Sequence, residues 1–146
     1  MPGTERPRAG YHSVTPRIVV ADVEAQVEFL RVVFDASVDV SPGRPAEVHI
    51  GDSLIMVTPA TERELFAAFL YIYVEDAEQT YQRALAACAI SLEAPLDMPY
   101  GDRRAMVRDP FGNVIQIAHQ ISKQSPTGTG NATTRRRPPS GRRQRY

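Results

Sequence analysis

The sequence predicts an α+β fold made of two βαβββ modules. An internal repeat is the first reason: residues 17–34 and 71–88 match at a fixed offset of 54 positions, which aligns Asp22 with Asp76. The second reason is a change of period. After each repeat copy, apolar residues at helical spacing give way to apolar residues at every second position, as in strands. Each copy and the strands that follow it therefore form one module.

Composition divides the chain into three parts. The 146 residues are enough for one domain with a real core. We expect a flexible N-terminus over 1–11, a domain over 12–122, and a disordered tail over 123–146, which has few aliphatic residues and much Gly, Pro and Arg. Within the domain, module one covers about 12–60 and module two about 66–121.

The formal net charge of zero conceals an uneven distribution. Up to Ser122 the chain has 17 acidic and 10 basic residues, a charge of −7, whereas the tail has seven basic residues and no acidic one. The RRR and RRQR clusters of the tail have two interpretations: attachment to nucleic acid or another acidic partner, or a solvated appendage that offsets the acidic body. We favour the solvated appendage, so nucleic-acid binding is expected only through the tail.

The sequence also bears on location and redox chemistry. It lacks the apolar run of roughly 20 residues that a membrane span needs, and its N-terminus does not resemble a signal peptide. We therefore expect a cytoplasmic protein with no membrane partner. The single cysteine, Cys88, excludes an internal disulfide and a cysteine-based zinc site.

The elements of module one follow from capping, spacing and turns. The strand RIVV (17–20) precedes Asp22, which is placed to cap a helix N-terminus. The apolar stripe of this helix is Val23, Val27, Leu30 and Phe34. Three strands at period two follow, SVDV, AEVHI and SLIMVT, separated by SPGRP and by a tight turn at Gly51.

Module two repeats this order with a different spacing. Its strand YIYV precedes Asp76 as the helix cap, and the helix stripe is Ala77, Tyr81, Ala84, Leu85 and Cys88. The strands ISLEA, RAMVR and NVIQIAH follow, with a longer loop between the first two. The last two are joined by Asp-Pro-Phe-Gly (109–112), whose proline and glycine positions suit a type I turn. Asp109 is expected to accept hydrogen bonds from backbone N–H groups of this turn.

Alternation along the strands separates two sheet faces. One face is aliphatic and is expected to pack beneath the helices; it carries Ile18, Val20, Ile55, Val57, Leu70, Ile72, Val74, Ile115 and Ile117. The opposite face, called the cup face here, mixes aromatic, apolar and polar side chains: Thr15, Arg17, Val19, Leu54, Met56, Thr58, Phe69, Tyr71, Tyr73, Val114, Gln116 and Ala118.

Three roles for the cup face stay open: a ligand pocket, a dimer interface, or a collapsed core whose polar groups satisfy one another. Ligand pockets are mostly apolar and aromatic with a few placed polar groups, which Arg17, Tyr71, Tyr73 and Gln116 would supply. Because an unpaired buried guanidinium is very costly, we expect water or an anion beside Arg17.

The segment YGDRR (100–104) enters the seventh strand and can edge the cup face. Tyr100, Asp102 and Arg103 are candidates for ligand contact there. A turn with an ion pair is the simpler interpretation, and we favour it.

Five segments together resemble a known family: TPRIVVADVEAQVEFLRVVF, IGDSLIMV, LYIYVEDAEQTYQRALAA, MPYGDR and VRDPFGNVIQIAH. They are similar to the PhnB-like branch of the glyoxalase/bleomycin-resistance superfamily, also called vicinal oxygen chelate (VOC) proteins, over about 12–121. The resemblance implies paired modules that form a U-shaped mixed sheet, a homodimer, and a site inside each cup. Family members usually have Gly where Asp35 and Cys88 end the two helices, so both residues are expected in the left-handed conformation.

The resemblance also implies where a metal would bind. Metal-dependent members place four His, Glu or Gln ligands on the first and last strands of each module, and the matching positions here are Thr15, Met56, Phe69 and Gln116. Only Gln116 is one of those types, and one amide oxygen does not make a divalent-metal site. The three histidines lie at other positions: His12, His49 and His119. We therefore expect no cofactor, no standard metal site and no straightforward glyoxalase I activity.

The leading hypothesis is a metal-independent protein that binds a small aromatic or anionic molecule in the cup. Its expected ligand-binding residues are Thr15, Arg17, Met56, Phe69, Tyr71, Tyr73, Tyr100 and Gln116. The alternative is a lyase, isomerase or dioxygenase that uses another metal set, or takes Tyr71 and Tyr73 as proton donors. A third, less favoured hypothesis is an interaction module whose arginine-rich tail binds nucleic acid.

Overall fold

The computed structural model of the chain describes residues 7–61 and 63–121. Over these residues the chain folds into two βαβββ modules, each a four-stranded mixed sheet with one helix. The predicted α+β class and two-module architecture are confirmed. The predicted basic tail, 123–146, lies outside the described residues, as do residues 1–6.

Module one is the shorter copy of the repeat. Its elements are β1 (Arg17–Val20), α1 (Val23–Phe34), β2 (Ser37–Asp39), β3 (Ala46–Ile50) and β4 (Ser53–Pro59). The strand order is β1-β4-β3-β2, with β1 parallel to β4 and the other pairs antiparallel. Because Pro16 has no N–H to add to the ladder, β1 begins at Arg17, and Thr15 lies before the strand rather than on it.

Module two has the same topology. Its elements are β5 (Phe69–Tyr73), α2 (Ala77–Ala86), β6 (Ile90–Asp97), β7 (Asp102–Arg108) and β8 (Val114–Gln120). The strand order is β5-β8-β7-β6, and β5 is parallel to β8. Strand β1 of module one corresponds to β5, so the two repeat copies occupy equivalent places in their sheets.

Strand β6 differs from the sequence prediction. A loop was expected after Ala94, but β6 continues to Asp97 and leaves a short turn before β7. The strand contains Pro95, which cannot donate to a ladder; it is tolerated because β6 is the edge of its sheet. The pairing with β7 shifts register between Ser91 and Glu93 and again between Glu93 and Leu96.

Both helices begin at the aspartate caps that the repeat predicts, and they are followed by the left-handed residues that the family resemblance implies. The Asp22 carboxylate accepts a hydrogen bond from the backbone N of Ala25 at 3.0 Å, and Asp76 accepts one from Gln79 at 3.2 Å. Asp35 and Cys88 have positive φ angles of 54° and 72°, the left-handed conformation expected of them. Cys88 is exposed and lies beyond the end of α2, so its predicted place on the buried helix stripe is wrong.

The aliphatic face lies beneath the helices, as the alternation predicts. Six of its residues are buried, and the other three are partly buried against the same core: Ile18, Val20, Ile55, Val57, Ile115 and Ile117, then Leu70, Ile72 and Val74. Residues of both helices belong to this one cluster, among them Leu30 and Ala84. The modules therefore share a core on their helix sides, and the cup faces point away from it.

A buried polar network joins module one to module two. The Nδ2 of Asn113 donates to Gln26 Oε1 at 2.7 Å and to Asp109 Oδ2 at 2.8 Å, while Gln26 Nε2 donates to Asp109 Oδ2 at 3.1 Å. Asp109 Oδ1 accepts from the backbone N of Phe111 and of Asn113, which confirms its expected role in the turn. The Asn113 Oδ1 accepts from the backbone N of Ala68 in the segment that connects the modules.

Replacement of Gln26 by methionine, which has a similar volume, is expected to lower the free energy of unfolding by about 2 kcal/mol. The variant removes a donor to Asp109 and an acceptor for Asn113, and both groups stay buried. Urea unfolding followed by circular dichroism measures the loss. The control is Gln82→Met at an exposed position of α2, which should change the free energy of unfolding by less than about 0.5 kcal/mol. Equal effects at the two positions would contradict the importance of the network.

Candidate functional site

The cup face of module two carries aromatic rings that the chain leaves open. Phe69 is 66% exposed, Tyr73 is 64% exposed and Tyr71 is 38% exposed, and the three lie at alternate positions of β5. In the sheet Tyr71 pairs with Gln116 of β8, so this predicted polar residue lies beside the ring row. Large exposed apolar side chains in one row are typical of a binding surface.

A buried carboxylate holds two of these rings. The hydroxyls of Tyr71 and Tyr73 both donate to Oδ2 of Asp102, at 2.7 Å and 2.8 Å. The ring centroids of the two tyrosines are 5.2 Å apart, with the planes tilted by 55°. Asp102 itself is only 5% exposed. Its carboxylate therefore restricts the positions of the two tyrosine hydroxyls.

A third tyrosine extends the same cluster. The hydroxyl of Tyr100 lies 3.4 Å from that of Tyr71, and it accepts a hydrogen bond from Nη1 of Arg104 at 3.3 Å. The Nη2 of Arg104 donates to Glu93 at 2.8 Å, while its Nε is buried without a partner among the described residues. Since Arg104 donates to Tyr100 and Asp102 accepts from Tyr71, the proton between the two tyrosines belongs to Tyr100.

The environment of the tyrosines raises their pKa values above the ordinary 10.0. For Tyr71 the largest cause is burial of the hydroxyl, followed by the hydrogen bonds to Tyr100 and Asp102, and these keep its pKa far above that value. For Tyr73 the hydrogen bond to Asp102 is the main cause of the raised pKa. Both hydroxyls therefore keep their protons at neutral pH and hold them in bonds to the carboxylate.

The segment at residues 100–104 contains the turn and the ion pair that we favoured for it, because the backbone N of Gly101 donates to the O of Met98 at 3.0 Å and Arg103 pairs with carboxylates. Arg103 binds Asp97 at 2.9 Å and Glu78 of α2 at 3.2 Å, on the helix side of the sheet. Asp102 points to the opposite face, where it accepts from tyrosines instead. The structure thus adds Asp102 and Arg104 to the site. Alternation along β7 could have indicated this, because both residues alternate with the core residue Ala105 and with Arg103.

The predicted residues of module one form a second, separate group. The Nη2 of Arg17 lies 3.3 Å from Sδ of Met56, its partner in the parallel ladder. Arg17 is exposed, and no carboxylate within the described ranges forms an ion pair with it. The predicted high cost of burying its guanidinium therefore does not arise in the single chain. Thr15 is half-buried just before β1.

A group of possible metal ligands on the cup face of module one was missed by the sequence analysis. Ligand atoms of Asp39, Glu47 and His49 all lie within 4.8 Å of one another. Strand pairing explains the proximity, because Asp39 lies opposite Glu47, and His49 is the next residue of β3 on the same face. Glu47 is also engaged by Arg44 at 2.9 Å and by the hydroxyl of Tyr11 at 2.7 Å.

The four positions implied by the family resemblance do not fit a divalent metal. Met56 offers a thioether and Phe69 offers no donor atom, while Thr15 offers only a hydroxyl ahead of β1. Gln116 alone resembles a usual ligand. His119 accepts a hydrogen bond at Nδ1 from the backbone N of Ala77, so it faces the helix side as expected.

A large cleft of the described residues lies beside the aromatic row rather than on it. It has a volume of about 900 Å³ and lies between the end of α1 and the start of α2. Asp35, Gly51, Tyr73, Asp76 and Arg83 are among its lining residues. Tyr73 is thus the one predicted site residue that it reaches.

Comparison with known proteins gives a consistent result. The family described as the Glyoxalase/Bleomycin resistance protein/Dioxygenase superfamily matches residues 10–117. The comparison with curated proteins gave no match.

Among the residues that the structure describes, no helix is long and apolar enough to cross a membrane.

Solved structures share the fold at low sequence identity. TioX from Micromonospora sp. ML1 is 21% identical with a TM-score of 0.66, and the alignment covers 76% of this chain and 100% of that chain. A glyoxalase/bleomycin resistance protein/dioxygenase family enzyme from Burkholderia phytofirmans PsJN is 24% identical, with a TM-score of 0.60 and coverage of 70% and 93%. Virulence protein STM3117 from Salmonella typhimurium is 18% identical, with a TM-score of 0.61 and coverage of 76% and 98%.

Alkaline titration tests the hydrogen bonds to Asp102. Of the six tyrosines, we expect Tyr71 and Tyr73 to ionise late in near-ultraviolet absorbance, because ionisation would place a phenolate beside a carboxylate. The folded state holds these protons more tightly than the unfolded chain does. The resulting stabilisation is therefore complete below the ordinary pKa of 10.0 and is lost as the pH rises above it.

The variant Asp102→Asn should bring both ionisations to lower pH. Tyr11 is an internal control, because its pKa is raised by the hydrogen bond to Glu47 and should not respond. An unchanged titration curve in Asp102→Asn would contradict the assignment.

Proposed function

Because this chain belongs to the glyoxalase/bleomycin resistance protein/dioxygenase superfamily, we propose that it binds a small aromatic or anionic molecule on the cup face, without the standard metal site of the superfamily. The observation that carries the proposal is the exposed row of Phe69, Tyr71 and Tyr73, held by a buried Asp102. The enzyme hypotheses need a set of metal ligands or a proton donor with a pKa near neutral, and this row supplies neither.

The aromatic row supports binding because it is both open and fixed. An exposed ring in water gains free energy when a flat apolar molecule covers it, and pairs of aromatic rings add a further favourable interaction. Two hydrogen bonds to one carboxylate restrict Tyr71 and Tyr73 before any ligand arrives. Less side-chain entropy is then lost on binding.

The raised pKa values favour binding over proton transfer. A general acid works best with a pKa near the working pH, whereas the pKa values of Tyr71 and Tyr73 lie above 10.0. Their protons are also directed to Asp102 and not toward the open side of the sheet. This supports a binding role for the two tyrosines over the proton-donor role in our alternative hypothesis.

The anionic part of the proposal rests on module one. Arg17 is exposed on the cup face, and its guanidinium has Met56 as its hydrogen-bond partner among the described side chains. Arginine binds carboxylate or phosphate groups with paired N–H donors. An acidic ligand group would therefore meet Arg17, with Thr15 as a further polar contact just before β1, while Gln116 offers its amide beside Tyr71 in the other sheet.

The remaining expectations are part of the same proposal. We propose a PhnB-like, cytoplasmic homodimer in which a second copy covers exposed apolar groups of β6 such as Ile90 and Leu96. The open edges of the sheets, β2 and β6, offer further surface for a partner. Binding of nucleic acid stays a prediction for the tail alone, to be tested by truncation after Ser122 and by its salt dependence.

A second candidate function uses a non-standard metal. The Asp39, Glu47 and His49 group favours it, because one imidazole and two carboxylates can bind a divalent transition metal. The ion pair of Glu47 with Arg44 opposes it, since a cation would have to compete with that guanidinium. We therefore place this metal-dependent alternative second.

The neutral fluorescent probe N-phenyl-1-naphthylamine tests the main proposal. We expect saturable binding of one probe per cup, and about tenfold weaker binding to Phe69→Ser because a ring contact is lost. Probe fluorescence during titration measures the affinity. The chain has no tryptophan, so its own emission interferes little.

The matched control for this experiment is Val32→Ser. Val32 is an exposed apolar residue of α1, away from the cup face, and its loss should leave the affinity unchanged. If the wild-type protein does not bind the probe, or if both variants bind it equally well, the aromatic row is not the site.

Two measurements test the metal content, the retained ligand and the homodimer. They are elemental analysis and native mass spectrometry of protein purified without a metal-affinity step. We expect a mass of two chains, a retained organic molecule, and far less than one metal ion per chain. About one metal per chain, lost in His49→Ala, would favour the second candidate function. A single-chain mass at micromolar concentration would contradict the homodimer.

A further inference from the structure

We infer that the aromatic ligand carries a protonated nitrogen, which binds beside Asp102 at the hydroxyl oxygen of Tyr73 and the ring of Tyr71. This inference rests on the proposed function, because it names the chemistry of the molecule bound at the aromatic row. It favours an aromatic cation over an anion at the aromatic row of module two.

The first argument is the charge of Asp102. Its side chain is almost fully buried, yet no Lys, Arg or His of the described residues lies within ion-pair distance of it. Buried carboxylates are usually paired because removal from water is costly. Two tyrosine hydroxyls compensate this carboxylate only in part, since they bring dipoles and no positive charge. A cation at the row would complete the compensation.

The second argument is the direction of the hydrogen bonds. The hydroxyl protons of Tyr71 and Tyr73 point to Asp102, so neither is free to donate to a ligand. The oxygen of Tyr73 keeps its lone pairs on an exposed residue, and the bond to a carboxylate makes that oxygen a better acceptor. The row therefore accepts hydrogen bonds and offers no hydroxyl proton to an anion.

The third argument is the arrangement of rings. Tyr71 and Tyr73 lie 5.2 Å apart and tilted, with Phe69 next on the same strand. The face of an aromatic ring attracts a cation, by about 0.5 to 2 kcal/mol depending on desolvation. An ammonium or amidinium group attached to a flat ring system satisfies the rings and the carboxylate together.

The neighbouring basic groups do not oppose this assignment. Arg104 is the nearest on the same face, and its charge is offset by Glu93 at 2.8 Å. Arg108 lies six residues further along β7, roughly 20 Å from Asp102 at the rise of a strand. Arg17 belongs to the other sheet. The charge next to Tyr73 is therefore that of Asp102.

Three naphthalene probes that differ only in one group test the inference by competition with N-phenyl-1-naphthylamine. They are 1-naphthylmethylammonium, 1-naphthylmethanol and 1-naphthylacetate. We expect the ammonium compound to displace the fluorescent probe at about tenfold lower concentration than the alcohol, and the acetate to be the weakest. In Asp102→Asn, which retains an oxygen acceptor for the tyrosines, the preference for the ammonium compound should disappear.

The control variant is Asp97→Asn, which removes an equal charge on the helix side of the same sheet and should keep the preference. Equal displacement by the three compounds, or strongest displacement by the acetate, would overturn the inference and leave binding at the cup intact. No binding of the fluorescent probe to the wild-type protein would overturn both. The wild-type ranking decides the matter even if Asp102→Asn fails to fold.

Discussion

The hydrogen bonds among Gln26, Asp109 and Asn113 determine how the two modules meet. They link α1 of one module to the turn between β7 and β8 of the other, and all three side chains are almost fully buried. Phe29 and Phe111 pack edge to face beside them, with ring centroids 6.4 Å apart. Because a half-satisfied buried network is very unfavourable, this joint tolerates one arrangement and resists others. The helix sides of the two modules therefore pack against each other, and the rings of the cup face in module two stay exposed.

Two buried carboxylates of the same module have different hydrogen-bond surroundings. Asp109 accepts four hydrogen bonds, two from backbone N–H groups and two from side-chain amides. Asp102 accepts two, both from tyrosines that themselves reach the surface. The first group is saturated and can only hold the fold together. The second group retains electrostatic attraction and lies where a small molecule can respond to it.

The sequence could predict what depends on period and capping. The repeat located both helices and their aspartate caps, because each depends on neighbours along the chain, and the family resemblance implied the left-handed residues Asp35 and Cys88 at their ends. Alternation likewise separated the core face from the cup face. Proximity between distant segments was harder to predict. That Asp102 binds tyrosines of β5 depends on β7 and β5 being separated by one strand, and a five-residue motif interpreted as a turn contains no such information. The group of Asp39, Glu47 and His49 was missed for the same reason, because it forms only when β2 pairs with β3.

Strand β6 has a bearing on the behaviour of the protein in a crowded solution. It is the outer strand of its sheet and runs for eight residues, so a regular ladder there would invite another chain to pair with it. Pro95 removes one donor from this edge, and two register shifts break the spacing of the rest. A chain with exposed aromatic side chains is prone to aggregation, and an irregular edge lowers that risk without covering the rings. The exposed rings of one strand and the irregular pairing of the outer strand therefore have opposite effects on self-association.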